Sequence, residues 1–375
     1  MKGKIAFVGN SARTMMNFRM GVMKALTEDN YEVVMIAPQD CDMSPLQESG
    51  IRFIAIKIDC KGMNPWRDIH LILDLKNIYR SEHFDFIFHF TIKAVIYGSM
   101  AAALCHIKHI SVVTGLGYTF IKRNWLFLIS RALHRVALRK AEAVWFLNQD
   151  DCDCFVSLKI VPSKKVHVIH GEGVDTSFFA TDKPLPEPFT FIYIGRMLRY
   201  KGVELFVRAA EILRKEYPRV RWQLLGPLDN DDLDCITAGE IEEWVQHGFV
   251  EYLGVAKDVR PYIEQASCAV LPSYFREGVP RSLLESASME RIILTTNSVG
   301  CKEVVQNGVN GLVCEMNSLD SLAEAMRKIV EMPSSQLQQM GQNGRKYVLH
   351  LFDEKIIIAE YQKALQKYLK RRNKC

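Results

Sequence analysis

No stretch of the 375 residues approaches the ~20 consecutive apolar residues that a helix needs to cross a bilayer. The opening Met-Lys-Gly-Lys-Ile-Ala-Phe-Val has too short an apolar part for a secretory signal and reads as a first strand. Ten cysteines in so long a chain do not make a disulfide scaffold. The C-x-C of Cys152 and Cys154 has no second pair near it, so zinc spacing is missing. The thiols are therefore expected to be reduced and the protein cytosolic. G-x-G-x-x-G is missing too, which leaves nothing to favour a nicotinamide dinucleotide. No nucleic-acid motif accompanies the mild net charge of +5. What is present is an ordinary globular composition, 48% apolar and 24% charged, in a length that suggests two domains.

The charge is unevenly placed. Residues 1–180 hold 22 Lys/Arg against 17 Asp/Glu, residues 181–352 hold 19 against 23, and residues 353–375 hold 7 against 3. The basic excess lies in the first half and the tail, and fits an anionic membrane face or a phosphorylated acceptor at least as well as nucleic acid. Proline marks the boundary between halves: Lys183-Pro-Leu-Pro-Glu-Pro188 reads as a semi-rigid linker. The expected division is 1–182, 183–352 and a helical tail 353–375.

Both halves alternate short apolar strands with helical patterns, the signature of parallel α/β units. In the first half Lys4–Val8 leads into Gly9-Asn10-Ser-Ala-Arg13 and a helix bearing Arg19. Phe84–His89 leads into Thr91-Ile-Lys93, and His109–Val113 into Thr114-Gly115-Leu-Gly117-Tyr118. Glycines just past a strand's carboxyl end suggest close approach of a ligand to the backbone. Asn124–Lys140 carries apolar residues at 125, 128, 129, 132, 133, 136 and 137, with Arg131, Arg135, Arg139 and Lys140 off that face and Lys122 and Arg123 upstream. It reads as a surface helix packed on the sheet, with a membrane-lying helix as the alternative. His89 reads as a core histidine.

In the second half Phe189–Ile194 leads into Gly195-Arg196-x4-Lys201-Gly202, and Trp222–Leu225 into Gly226 and an acidic loop through Asp232. Cys268–Leu271 leads into Ser273-Tyr-Phe-Arg-Glu277-Gly278-Val279-Pro280-Arg-Ser282-Leu283-Leu-Glu285. This last stretch is a strand, a turn at Gly278 and a helix with Pro280 in its first position. The helix start offers free N–H groups and a dipole to an anion. Two glutamates bracket that start.

With these residues the chain resembles the retaining glycosyltransferases of family four, which have the GT-B fold. The resemblance rests on E-G-x-P inside E-x7-E, on G-R-x4-K-G, on the G-N-S loop, on T-x-K-x-x-x-Y-G and T-G-L-G, and on Gly171–Phe178. It is nearest to the subgroup that acts on lipid-linked or capsular saccharides. It implies two Rossmann-like domains with parallel sheets facing across a cleft, and a C-terminal helix crossing back to the first domain. It implies a donor site of Gly195, Arg196, Lys201, Gly226, Glu277, Gly278, Val279, Pro280, Ser282, Leu283 and Glu285. There Arg196 and Lys201 meet the diphosphate, Glu277 the donor sugar and Glu285 the ribose. Arg196, Lys201 and Glu277 are the expected catalytic residues. An acceptor site of Gly9, Asn10, Arg13, Arg19, Lys93, Thr114, Gly115 and Gly117 is implied, with Arg13, Arg19 and Lys93 on phosphate. The alternative for Arg19 is a solvated helix residue. Glu172 stands where relatives often have serine or asparagine, and is left open between sugar and acceptor hydroxyls. No cofactor or metal is expected. The implied partners are a uridine-linked hexose or N-acetylhexosamine donor, a polyprenyl-diphosphate saccharide acceptor and the inner face of the membrane. The rivals are a sugar-nucleotide epimerase and a non-catalytic sugar-nucleotide scaffold.

Overall fold

The computed structural model describes residues 1–59, 62, 64–117, 120, 124–229 and 234–369. Tyr118, Lys122, Arg123, Asp231, Asp232 and the basic tail through Lys374 lie outside the described residues. The chain forms two compact units, Met1–Glu172 with Glu354–Cys375, and Gly173–Asp353.

The first unit is built on seven parallel strands: β1 (Gly3–Val8), β2 (Tyr31–Ala37), β3 (Arg52–Ala55), β4 (Phe86–Phe90), β5 (Lys108–Val113), β6 (Ala143–Phe146) and β7 (Val166–Val168), in the order β3-β2-β1-β4-β5-β6-β7. Side chains alternate between its two faces, and both faces are covered. Ile5, Phe7, Val33, Met35, Phe86, Phe88 and Phe90 pack on one side, and Ala6, Val8, Val34, Ile36 and Ile87 on the other. The first side is closed by the Ala12–Glu28 helix and by the Glu354–Leu369 helix. Tyr361 of the latter sits 4.9 Å from the rings of Phe88 and Trp145. An aromatic anchor of that size explains why the end of the chain returns to the first sheet.

The second unit has six parallel strands: β8 (Thr190–Ile194), β9 (Arg221–Leu225), β10 (Glu251–Tyr252), β11 (Cys268–Leu271), β12 (Ile292–Thr296) and β13 (Gly311–Cys314), in the order β10-β9-β8-β11-β12-β13. They share one continuous apolar core.

The chain changes unit at Gly173, ten residues before the expected boundary at Lys183, and again after Asp353. The proline-rich segment is fastened to the second unit. The buried Arg291 guanidinium donates to the Lys183 and Pro184 carbonyls at 3.1 Å, and Lys183 pairs with Glu264 at 2.7 Å. The two true crossings are tied together inside the second unit, where Val174 bridges Asp353 and the Thr176 hydroxyl donates to the Asp353 carboxylate.

Candidate functional site

In an open parallel sheet, ligands bind beyond the carboxyl ends of the strands where the strand order reverses. In the second unit that point lies between β8 and β11, so the loops after Ile194 and Leu271 are the ones brought together. The chain places Gly195–Lys201 in one and Ser273–Glu277 in the other. Lys201 ends a short 3-10 turn, Arg199–Lys201, and Gly202 follows at φ 78°. A Cβ on Gly202 would strike the carbonyl of Pro272, so glycine here lets the two loops touch. Lys201 Nζ then lies 2.9 Å from Glu277 Oε1. The buried Ser273 hydroxyl donates to the same oxygen at 3.2 Å, and the Glu277 N–H donates to the Val299 carbonyl at 3.1 Å. Gly300, at φ 85°, backs this turn, because a side chain there would collide with the carbonyls of Glu277 and Gly278. Both members of the ion pair are mostly shielded from water, which weakens its screening by salt.

Gly195 and Gly226 close the neighbouring turns. A Cβ on Gly226 would strike the Gly195 carbonyl, and the Gly195 N–H donates to Leu225 at 3.0 Å. Arg196 is half exposed and pairs with Asp229 at 2.7 Å. The acidic loop thus supplies the partner of the arginine expected at the diphosphate.

The helix after Glu277 runs Arg281–Ser288, one residue later than expected. Pro280 is its N-cap, with extended backbone at ψ 116°, and not its first helical residue. The first-turn N–H groups of any helix have no intrahelical acceptor. Ser11, Asn124, Thr237 and Ser318 cap their helices with a side-chain oxygen, whereas this start has no side-chain cap. Val279 and Leu283 are buried, so they can offer only backbone. Glu285 accepts from Arg281 Nε at 2.9 Å. Burial nevertheless raises its carboxyl to about 7, with Arg281 acting in the opposite direction.

In the first unit the order reverses between β1 and β4, which brings Gly9–Asn10 and Thr91 to one place. The expected acceptor cations are all engaged within the fold. Arg13 donates to the Asp40 carbonyl at 2.9 Å. Lys93 pairs with Asp68 at 2.7 Å, and the Tyr97 hydroxyl donates to the same carboxylate at 2.6 Å. Arg19 is neither solvated nor open to a ligand. It is 2% exposed, pairs with Glu172 and lies 4.2 Å over the Phe90 ring. That contact also answers what Glu172 does, for it neutralises a buried arginine. Thr114 and Gly115 line a small crevice with Thr91, Ile92 and Leu116, and Gly117 follows at φ 64°. His89 is a core residue, 3.0 Å from the Tyr79 hydroxyl.

Sequence reasoning missed the Lys201–Glu277 pair, which depends on which loops the topology joins, the Ser273 hydrogen bond within one loop, and the Asp68 clamp, which depends on how the Pro65–Glu82 helix packs. Thr91 is also new as a special position, a β-branched residue at φ 67° at the end of β4. Such backbone is unusual for threonine and clusters at functional sites.

Two family models match the chain: "Glycosyl transferase 4-like" over residues 4–148 and "Glycosyl transferases group 1" over residues 175–347. The chain is 25% identical to an N,N'-diacetylbacillosaminyl-diphospho-undecaprenol α-1,3-N-acetylgalactosaminyltransferase of Campylobacter jejuni, over 98% of this chain and 99% of that one. It is 21% identical to a UDP-Gal:α-D-GlcNAc-diphosphoundecaprenol α-1,3-galactosyltransferase of Escherichia coli, over 88% and 87%. Among solved structures it resembles sucrose-phosphate synthase of Thermosynechococcus elongatus, with a TM-score of 0.80 at 17% identity over 98% and 100% of the two chains. It also resembles Anabaena HepE in complex with UDP, with a TM-score of 0.78 at 16% identity over 97% and 100%. With two parallel Rossmann-like sheets, these likenesses make the fold GT-B.

Proposed function

The chain belongs to the group 1 and 4-like glycosyl transferases, and from that premise we propose that it moves a hexose or N-acetylhexosamine from a uridine diphosphate sugar to a polyprenyl-diphosphate-linked saccharide, with retention of configuration. The observation that carries this reading is the Lys201–Glu277 pair at the switch point of the second sheet, beside a helix start without a side-chain cap. Names of the relatives that span nearly the whole chain support the lipid-linked acceptor. The assembly of a surface or capsular glycan is the process such an activity would serve, at the inner face of the membrane.

The energetic demand of the reaction is charge developing on the leaving diphosphate. Preorganised donors aimed at that charge are usually the largest catalytic contribution. In this reading Lys201, Arg196 and the N–H groups of the first helical turn receive it, with Arg196 leaving Asp229 when the donor arrives. Glu277 accepts from donor-sugar hydroxyls and Glu285 from the ribose. Gly9, Asn10, Thr114, Gly115 and Gly117 present backbone to the acceptor. The C1–O bond to the diphosphate breaks as the C1–O bond to the acceptor forms on the same face, and the acceptor's proton passes to the departing phosphate oxygen. The cations and backbone dipoles carry the charge in this scheme, so it calls for no metal or cofactor.

The test is a melting screen against nucleotide sugars. A ligand at 100 times its Kd stabilises by about 2.7 kcal/mol, so a true donor raises the melting temperature visibly and Glu285→Ala removes the shift. A screen in which no nucleotide sugar shifts the melt, even with acceptor present, would overturn the reading.

A further inference from the structure

The helix Trp125–Ala137 packs largely the opposite way from its sequence pattern. Phe127, Ser130, His134 and Ala137 face inward, with Phe127 5.6 Å from the Phe120 ring and His134 5.4 Å from Phe155. Of the seven residues assigned to the packing face, Leu133 and Ala137 pack inward, and the other five point out. Trp125 is 65% exposed, Leu128 59%, Ile129 49% and Val136 64%, with Ala132 exposed between them. They form one stripe about 16 Å long, and a contiguous exposed apolar stripe is uncommon on a soluble surface.

The charge on this helix and on the turn after it has one sign. Arg135, Arg139 and Lys140 are exposed at the end of the helix and the turn that follows it, while Arg131 is tied to the Leu158 carbonyl at 3.0 Å. No carboxylate side chain occurs between Asp85 and Glu142, a stretch holding eight Lys and Arg. A neighbouring helix, Pro65–Glu82, packs on the same Ala94–Leu104 segment and exposes Trp66, Ile69 and Leu73. A tryptophan-led apolar stripe whose own helix carries cations and no carboxylate has the form of a helix that lies in a membrane interface. No helix among the described residues is long and apolar enough to cross a membrane.

We propose that the outward face of Trp125–Val136, with Arg135, Arg139 and Lys140, docks on an anionic lipid bilayer. The choice of a bilayer as occupant rests on the reading of a lipid-linked acceptor; the exposed face itself does not.

Flotation of the protein with vesicles of phosphatidylcholine, with and without phosphatidylglycerol, tests this apart from sugar transfer. The parent chain is expected to float with the anionic vesicles and to release at high salt. Trp125→Ser with Leu128→Ser is expected to lower partitioning about a hundredfold, from the apolar area withdrawn. Arg135→Glu with Arg139→Glu is expected to abolish the preference for anionic vesicles. Both variants should keep the parent's melting temperature and its turnover of donor with a water-soluble acceptor. A parent that stays at the bottom of the gradient, or variants that float equally well, would overturn the proposal. A parent that is dimeric in solution and a Trp125→Ser/Leu128→Ser variant that is monomeric would assign the face to a second copy, and overturn it too. Failure of sugar transfer with intact flotation would instead count against the proposed reaction alone.

Discussion

Replacing Glu285 by glutamine is expected to stabilise the folded protein at pH 8. The Glu285 side chain is only 13% exposed, and its carboxyl titrates near 7, above its ordinary 4.5, because burial disfavours the charged form. The folded state therefore binds more protons than the unfolded state between those two values, so stability falls as pH rises through that window. A shift of this size corresponds to about 3 kcal/mol at pH 8, and to less than about 1 kcal/mol at pH 5. Glutamine keeps the shape and removes the charge, so Glu285→Gln should recover that amount at pH 8 and little at pH 5. Urea unfolding of the two proteins at both pH values measures it. In a unit of this size the gain at pH 8 is roughly 6–12 °C in melting temperature. The same variant should lose the thermal shift given by donor, as expected of a residue that costs stability because it binds ligand. A variant that is no more stable than the parent at pH 8, or whose advantage is the same at both pH values, would refute the reasoning.

Arg19→Ala should destabilise the first unit by about 3–5 kcal/mol, because Glu172 is left buried without its cation; combining Arg19→Met with Glu172→Gln should restore most of the loss in urea unfolding. Burial depresses His109 and His134 to about 4. Both are then neutral in the folded state and charge only on unfolding as pH falls below 6.5, so their contribution is present above that value and lost towards 4. The loss from pH 7.5 to pH 5 should be on the order of 4 kcal/mol, and should be reduced in a His134→Met variant followed by denaturation across that range.

The fold was legible because both sheets are parallel and buried on two faces, which writes most strands as short apolar runs, several with a glycine close beyond the end. The helical tail expected over 353–375 is the Glu354–Leu369 helix among the described residues. The residues expected at the donor site stand out for the same reason: they sit in or just after loops that follow strand ends, where glycine and charge are conspicuous. Their pairings were not, since Lys201 and Glu277 lie 76 positions apart and meet only because β8 and β11 are neighbours. Surface and interior were hardest to tell apart on helices. Arg19 lies in a helix that reads as amphipathic either way, and only the placement of Glu172 and Phe90 buries it. The Trp125–Ala137 helix has apolar residues nearly all round, so the pattern selected a face of which only Leu133 and Ala137 pack inward; His134 and Ser130 pack inward because their polar atoms bond within the helix, His134 Nδ1 lying 2.8 Å from the Ser130 carbonyl. The domain boundary was misplaced because proline marks stiffness, and here the stiff segment is clamped by Arg291.

The most direct test of the account is nucleotide release from a uridine diphosphate sugar in the presence of a lipid-linked saccharide, compared between the parent chain and Lys201→Ala. The account expects the parent to release nucleotide and form an α-linked product from an α-linked donor. Lys201→Ala should still bind the donor but turn over at least about a hundredfold more slowly, as for loss of one preorganised donor to a developing negative charge. Near-parental turnover in Lys201→Ala, or a product of inverted configuration, would contradict it.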